Sequence, residues 1–335
     1  MELQQARFYI AQYSLHKAAY RVETQKLLSL AGHHEDLLAK SYESYYSSFE
    51  VIGSQVADDR ILSCITFTPD GNGIVVGSWT GKATLWSFPD ARIIRTYEAH
   101  SDRVNSVDCK DDMIATASMD NTIKIWSRNE EVTLIGHEQR VNKAIFHPIS
   151  PYIVSCSHDM TIRLWDLNRR ESILTQEGHA RGVYSISIHP DGGLVVGGDL
   201  AGIGTVWDFR TGKRILLLKG HVKQILAVSV SPNGHTIATG SDDNTVKIWD
   251  LRKQGLVYSL PAHTKLVSAV ACYEGVIATA SFDNTAKLWS AADYSPLVTF
   301  NGDNKFTDIT LSPDRKTVAT CSFDRTFKIF QTKLQ

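Results

Sequence analysis

One pattern returns seven times along this chain. In the stretch from Gly220 to Leu251 it starts with Gly220-His221, an apolar run from Ile225 to Val230 and a turn at Ser231-Pro232-Asn233-Gly234. A second apolar run, Thr236 to Gly240, leads into Ser241, Asp242, Asp243 and Asn244, and a third run ends at Trp249-Asp250. Three short β-patterned runs punctuated by turn residues read as strands of one small antiparallel sheet. Trp86, Trp126, Trp165, Trp207, Trp249 and Trp289 close equivalent segments, Phe330 takes the seventh place, and successive gaps are 39 to 42 residues. Six residues before each stand Thr80, Asp120, Asp159, Ala201, Asp243, Asp283 and Asp324. Eight before stand Ser78, Ser118, Ser157, Asp199, Ser241, Ser281 and Ser322. The opening pair recurs as Ala99-His100, Gly136-His137, Gly178-His179 and Ala262-His263.

This opening and closing resemble the signature of the WD40 repeat, whose period is roughly 40–45 residues. The resemblance implies an all-β fold, a seven-bladed WD40 β-propeller. Blade one runs from about Arg60 to Tyr97, and blade seven ends at Phe330. Pro69, Pro190, Pro232 and Pro313 mark one recurring hairpin turn. Residues 1–46 lie outside the repeat and form a short α-helical N-terminal arm ahead of the propeller at 47–335. Leu3, Ala6, Ile10 and Tyr13 fall near one helical face. Ser14 is expected to cap a second helix with inner residues Leu15, Ala18, Ala19 and Val22, stopped by Gly32. A third helix from about Glu35 would group Leu38, Tyr42 and Tyr45. The arm is expected to cover the propeller, to dock a partner helix or protein, or to do both. Too few residues follow Phe330 for an outer strand, so the strand near 49–54 is expected to complete blade seven and join the chain ends.

The 335 residues are ample for a large core, and the formal charge is −1, which offers no global basic field for nucleic acid. No apolar run approaches the roughly 18 residues of a membrane helix, and the first residues lack a signal-peptide core. These features fit a soluble intracellular protein. The five cysteines are scattered through predicted strands, as buried thiols of a reducing compartment would be. Their odd number and lack of paired spacing argue against a disulfide framework or a zinc site.

Serine, histidine and aspartate recur together, but repetition argues against catalysis, because an enzyme needs one such site and this chain has about four. They read instead as structural tetrads: His100, Ser118, Asp120 and Trp126; His137, Ser157, Asp159 and Trp165; His221, Ser241, Asp243 and Trp249; His263, Ser281, Asp283 and Trp289. Neither His33-His34 nor the glycines at Gly71, Gly73, Gly202 and Gly204 make a metal or phosphate site, so no cofactor and no small-molecule substrate are expected. The glycines around blade four would let another backbone approach closely.

Two positions per blade are expected to share one rim. The residue before the turn aspartate is Trp79, Met119, His158, Leu200, Asp242, Phe282 or Phe323, five of them large and apolar. The residue entering the first strand is Arg60, Arg103, Arg140, Arg181, Lys223 or Lys265. A basic ring with aromatic anchors suits an acidic or helical peptide, or RNA phosphates within a larger particle.

The run Ala6-Arg7-Phe8-Tyr9-Ile10-Ala11-Gln12-Tyr13-Ser14-Leu15 with Lys17-Ala18-Ala19, then Asp58-Asp59-Arg60, is similar to the WD-repeat splicing factors of the U4/U6 small nuclear ribonucleoprotein. So are Gln176-Glu177-Gly178-His179, Gly182-Val183-Tyr184, the run from Ser231 to Ser241, and Ser322-Phe323-Asp324-Arg325-Thr326-Phe327-Lys328. The resemblance implies a non-enzymatic nuclear scaffold of the U4/U6·U5 tri-snRNP in pre-mRNA splicing. Its partners would be other U4/U6 proteins, a cyclophilin-type prolyl isomerase, and U4/U6 small nuclear RNA within the particle. A substrate receptor of a ubiquitin ligase would use the same rim and stands as the alternative.

Overall fold

The computed structural model describes residues 2–30, 45–46, 48–128, 130–149 and 151–332. Among the described residues twenty-eight strands form seven four-stranded antiparallel sheets, the expected seven-bladed propeller. In blade one the strands are Leu62–Phe67, Gly73–Ser78, Ala83–Ser87 and Ile93–Tyr97, in that order from the axis outward. Burial follows that order. The second strand is buried along its whole length, and the outer strand is exposed except at Tyr97. Small and β-branched residues fill second strands because both faces meet a neighbouring sheet. The core is accordingly seven apolar clusters, one in each gap between adjacent blades.

Phe49–Val56 lies antiparallel to Thr326–Thr332 and supplies the fourth strand of blade seven. The register runs from Phe49 opposite Thr332 to Val56 opposite Thr326, with a bulge between Val51 and Gly53. Phe49 anchors it. Its ring packs with Tyr46 (5.1 Å between centroids) in the cluster that holds Phe300, Phe306 and Phe330.

A collar of side-chain bonds ties the first strands together around the axis. Backbone N–H groups of one blade donate to side chains of the blade before it. Ala144 donates to Ser106 (3.0 Å), Phe146 to Asp108 (2.7 Å), Val228 to Ser185 (3.1 Å) and Cys272 to Ser229 (2.9 Å). Leu311 donates to the Tyr273 hydroxyl (2.8 Å), and Ile65 to Asp308 (3.1 Å), which bridges blades seven and one. Burial raises the Asp108 carboxyl and pushes Asp308 up from 3.8 to about 6.

The N-terminal arm corrects the expectation of a break at Ser14. One helix spans Glu2–Leu30 without interruption. Ser14 is buried inside it, and its hydroxyl donates to the Ala11 carbonyl (3.0 Å) instead of capping a new helix. Ala6, Ile10 and Ser14 therefore share the inner face. Ala6 and Ile10 pack with Tyr152 and Phe209. Leu15 (64% exposed) and Val22 (42%) point outward, contrary to expectation, and of that set only Ala18 is half-buried. Gly32, Glu35, Leu38 and Tyr42 lie outside the described residues; Tyr45 packs on Tyr46 and Phe49.

The helix crosses the hairpin turns of blades four and five. Arg21 donates to both oxygens of Asp191 (3.1 and 2.6 Å) and to the Asn233 carbonyl (3.1 Å), which also accepts from Gln25 (2.7 Å). The turns beneath are bonded to one another: His147 Nε2 donates to the Gly192 carbonyl (2.7 Å) and His189 Nε2 to the Gly234 carbonyl (2.6 Å). Burial lowers His147 to about 4, so it serves there as a neutral donor. Gly234 sits at φ +72°, a strained conformation for any residue with a side chain, and a Cβ there would stand 2.6 Å from the Arg21 guanidinium and displace it.

Phe49→Ala should cost about 3–5 kcal/mol in urea unfolding, whereas Val51→Ala, at an exposed position of the same strand, should cost under about 0.5 kcal/mol. Equal effects would show that the strand contributes no packing. Asp308→Asn keeps the acceptor and removes the charge. A raised carboxyl pKa contributes stability that is complete below 3.8 and is lost as pH rises through about 6. The variant should therefore gain in unfolding free energy on the parent chain as pH rises from below 3.8 to above 6, and a pH-independent difference would contradict the buried-carboxylate account.

Candidate functional site

Four blades carry complete buried relays. In blade five the Trp249 indole donates to Thr239 Oγ1 (2.9 Å), that hydroxyl meets His221 Nε2 (2.8 Å), and His221 Nδ1 meets Asp243 (2.8 Å). Blade two repeats it through Trp126, Thr116, His100 and Asp120, and blade three through Trp165, Ser155, His137 and Asp159. Blade six uses Trp289, Thr279, His263 and Asp283. The hydroxyl in each relay corrects the sequence-based tetrads, which named Ser118, Ser157, Ser241 and Ser281. Those serines work two residues further on. Ser241 Oγ accepts from the Asp243 N–H (3.1 Å) and fixes the turn, as Ser118, Ser157 and Ser281 do in theirs. The signal that finds the true relay is a hydroxyl ten residues before each tryptophan.

Burial lowers the pKa of all four relay histidines, which keeps them neutral, with Nδ1–H aimed at a carboxylate. The hydrogen bonds overcome desolvation at the aspartates and hold them down, Asp283 to about 2. The imidazoles are sealed, with at most 1% of each side chain exposed. A hydrolytic triad needs an exposed nucleophile, and these hydroxyls are committed inside the sheet. Burial likewise pushes Cys64, Cys156 and Cys272 up to about 12. Among the described residues no group of three His, Cys, Asp or Glu could hold a metal ion.

The three divergent blades have distinct physics. In blade one Asp58 replaces the histidine, and its carboxylate accepts from Ser78 and Thr80. In blade seven the Phe330 ring has no N–H to donate, and buried Thr320 Oγ1 has no partner. In blade four His179 meets Asp199 (3.3 Å), but Gly197 stands where the hydroxyl belongs. His179 Nε2 and Trp207 Nε1 are left buried and unpaired. The blade-four glycines do admit a close backbone, and it is the chain's own: a Cβ on Gly202 (φ +81°) would lie 2.6 Å from the Lys223 carbonyl.

On the face away from the helix, the residue before each turn aspartate is half-buried in all seven blades. Its backbone N–H donates to the third residue after the histidine position: Met119 to Arg103, His158 to Arg140, and Phe323 to Lys305, at 2.9 to 3.1 Å. Counted this way, the expected basic ring divides in two. Arg103 and Arg140 occupy the bonded position, together with Lys305, which sequence reasoning missed. Arg60, Arg181, Lys223 and Lys265 come one residue earlier and are exposed, because Ile61, Gly182, Gln224 and Leu266 make the bond in their blades.

The bonded cations lie against the apolar row. Arg103 stacks on Trp79 (4.0 Å), Arg140 bonds His158 Nε2 (2.9 Å), and Lys305 sits over Phe282 and Phe323 (5.3 and 5.5 Å). Trp79, Phe323 and Phe282 form one edge-to-face run across blades one, seven and six, with centroids 5.8 and 5.1 Å apart. Met119 and Leu200 take the same place in blades two and four, outside that run. Asp242 pairs with Lys223 (3.4 Å). The arrangement offers fixed aromatic surface and free positive charge on one face, which is binding chemistry.

The family model "WD domain, G-beta repeat" matches seven successive segments, from 51–87 to 294–331. An uncharacterized WD repeat-containing protein of Schizosaccharomyces pombe is 37% identical over 171 residues, 47% of this chain and 37% of that protein. The U4/U6 small nuclear ribonucleoprotein PRP4 of Saccharomyces cerevisiae is 28% identical over 191 residues, 53% of this chain and 41% of that protein. The nuclear distribution protein nudF of Aspergillus flavus is 48% identical over 61 residues, 18% of this chain and 13% of that protein. The chain thus spans less than half the length of these relatives.

Gly197→Ser should supply the missing hydroxyl of blade four. A Cβ there would lie 3.0 Å from His179 Nε2, and the Ile162 methyl 2.8 Å away can rotate aside. Pairing the two orphaned groups should raise unfolding free energy by about 1–3 kcal/mol. A lower urea midpoint would mean that crowding at Ile162 outweighs the restored bonds.

Proposed function

The chain belongs to the WD40, or G-beta repeat, family, and from that premise we propose that it is a non-enzymatic scaffold of the U4/U6 small nuclear ribonucleoprotein in pre-mRNA splicing. It would work in the nucleus, within the U4/U6·U5 tri-snRNP. The observation that carries the particle assignment is the likeness to U4/U6 small nuclear ribonucleoprotein PRP4 over about half of this chain. The geometry supports the scaffold role. The relays that look catalytic are spent on holding blades together, while the rim presents an edge-to-face aromatic run with cations on one face. Other U4/U6 proteins, and a cyclophilin-type isomerase, are the proposed occupants of that rim and of the exposed side of the N-terminal helix, where Phe8, Leu15 and Tyr20 are each more than 60% exposed. Contact with U4/U6 small nuclear RNA would follow from membership of the particle.

The test is affinity purification of the tagged chain from nuclear extract, read for proteins and small RNAs. The parent chain should recover U4 and U6 RNA with their proteins. Cullin components without small nuclear RNA would replace this reading with the ubiquitin-ligase receptor. A double charge reversal, Arg60→Glu with Arg181→Glu, uses exposed cations that lie outside the bonded position of their blades. It should weaken recovery about tenfold or more while the melting temperature stays unchanged. Undiminished recovery would remove these cations from the partner surface.

A further inference from the structure

We propose that the cleft over blades five to seven binds a phosphorylated serine or threonine side chain of a partner peptide. The cleft encloses about 360 Å³ and is lined by Lys223, Lys265, Lys305, Asp242, Asn244 and Phe282, among others. Lys223 is neutralised by Asp242 at 3.4 Å. Among the described residues, neither Lys265 nor Lys305 has a carboxylate within salt-bridge distance. Two ammonium groups therefore share one concavity without a counter-charge of the chain's own. A second cleft of about 310 Å³, under the N-terminal helix, shows the contrast. It holds three guanidiniums, and each has its carboxylate: Arg21 with Asp191 (2.6 Å), Arg210 with Asp208 (2.9 Å) and Arg252 with Asp250 (3.0 Å). That cleft is electrostatically complete, and the lysine cleft is not.

The chemistry of the missing anion follows from the lining. Lys305 is not a free surface lysine. It lies over Phe282 and Phe323 (5.3 and 5.5 Å), which meet edge-on at 5.1 Å, so the cation is placed before any ligand arrives. A phosphate monoester brings a charge of about −1.5 to −2 and three acceptor oxygens, enough to meet both unpaired lysines, whereas a side-chain carboxylate brings a single charge. RNA binding needs open aromatic faces for bases and a continuous basic track. Here Lys305 already lies over both phenyl rings, and Asp242 interrupts the positive wall.

The proposal rests on reading this rim as the partner surface and names the chemistry of one ligand there. The probes are fluorescent short peptides of degenerate sequence around a fixed phosphoserine, the same library with serine or with glutamate, and oligouridylate, each titrated against the full chain by anisotropy. The phosphoserine library should bind at least about tenfold more tightly than the other two libraries, with inorganic phosphate competing. Lys265→Glu, at an exposed position, and Lys305→Met, which keeps the packed stem, should each abolish that preference with an unchanged melting temperature. Equal binding of all three libraries, a preference that survives in Lys265→Glu, or tighter binding of oligouridylate would overturn the proposal. If particle recovery still depends on Arg60 and Arg181 while phosphoserine shows no advantage, the phosphate site falls and the scaffold reading stands.

Discussion

The residues from Phe49 to Val56 hydrogen-bond to Thr326–Thr332, and the ring depends on that pairing. Each core cluster lies between two blades, so no blade has an interior of its own. A blade seven with only three strands would leave Phe330 and Phe300 without the cover of Phe49 and Tyr46. Joining segments about 280 residues apart costs loop-closure entropy, but that cost grows only logarithmically with length. Burial of one aromatic side chain returns about 1.5–3 kcal/mol, and this seam buries several. The bond from Ile65 to Asp308 then links blade seven to blade one at the axis, so closure is secured at both the outer and inner ends of the sheets.

The relays show what the sequence could and could not reveal. Histidine and tryptophan were legible because each is rare in this chain, and aspartate because it stands six residues before the tryptophan in all four relay blades. The hydroxyl was not, because Thr239 and Ser241 are two residues apart on one strand and so face the same side. Both were chemically eligible. Only depth decides between them: the indole of Trp249, one strand further out, reaches Thr239, while Ser241 is level with the turn. Blade four proves the assignment in reverse. It has His179, Asp199 and Trp207, yet the relay fails because position 197 is glycine.

The N-terminal helix departs from its local sequence signals for a related reason. Serine ahead of an apolar run is a fair capping signal, and Leu15 with Val22 suggested a new buried face. Tertiary packing overrode it. Once Ala6 and Ile10 dock against Tyr152 and Phe209, continuing the same helical phase brings Ser14 and then Arg21 to the surface of the propeller. Arg21 finds Asp191 there, a pairing across 170 residues that no local pattern could announce. The seam strand, by contrast, was deducible from counting strands, since a sheet short of one strand must take it from elsewhere in the chain.

The rim follows from the same backbone geometry. The bond from Phe323 N–H to the Lys305 carbonyl is a structural contact repeated in every blade, yet it is what sets a lysine over two phenyl rings. Adjacent positions along the same loop behave differently. At the bonded position Arg103 and Lys305 lie on the aromatic row, whereas the residue before it in each blade is exposed. A chain of net charge −1 can therefore concentrate cations on one face without any separate binding element. On the opposite face arginines are consumed by carboxylates in holding the helix and turns. Charge that is paired within the chain stabilises the fold and has little left for a ligand; charge that is fixed in place but unpaired is available to one. By that criterion the face carrying Lys265 and Lys305, and not the cluster of arginines under the helix, is where this protein is prepared to meet an anion.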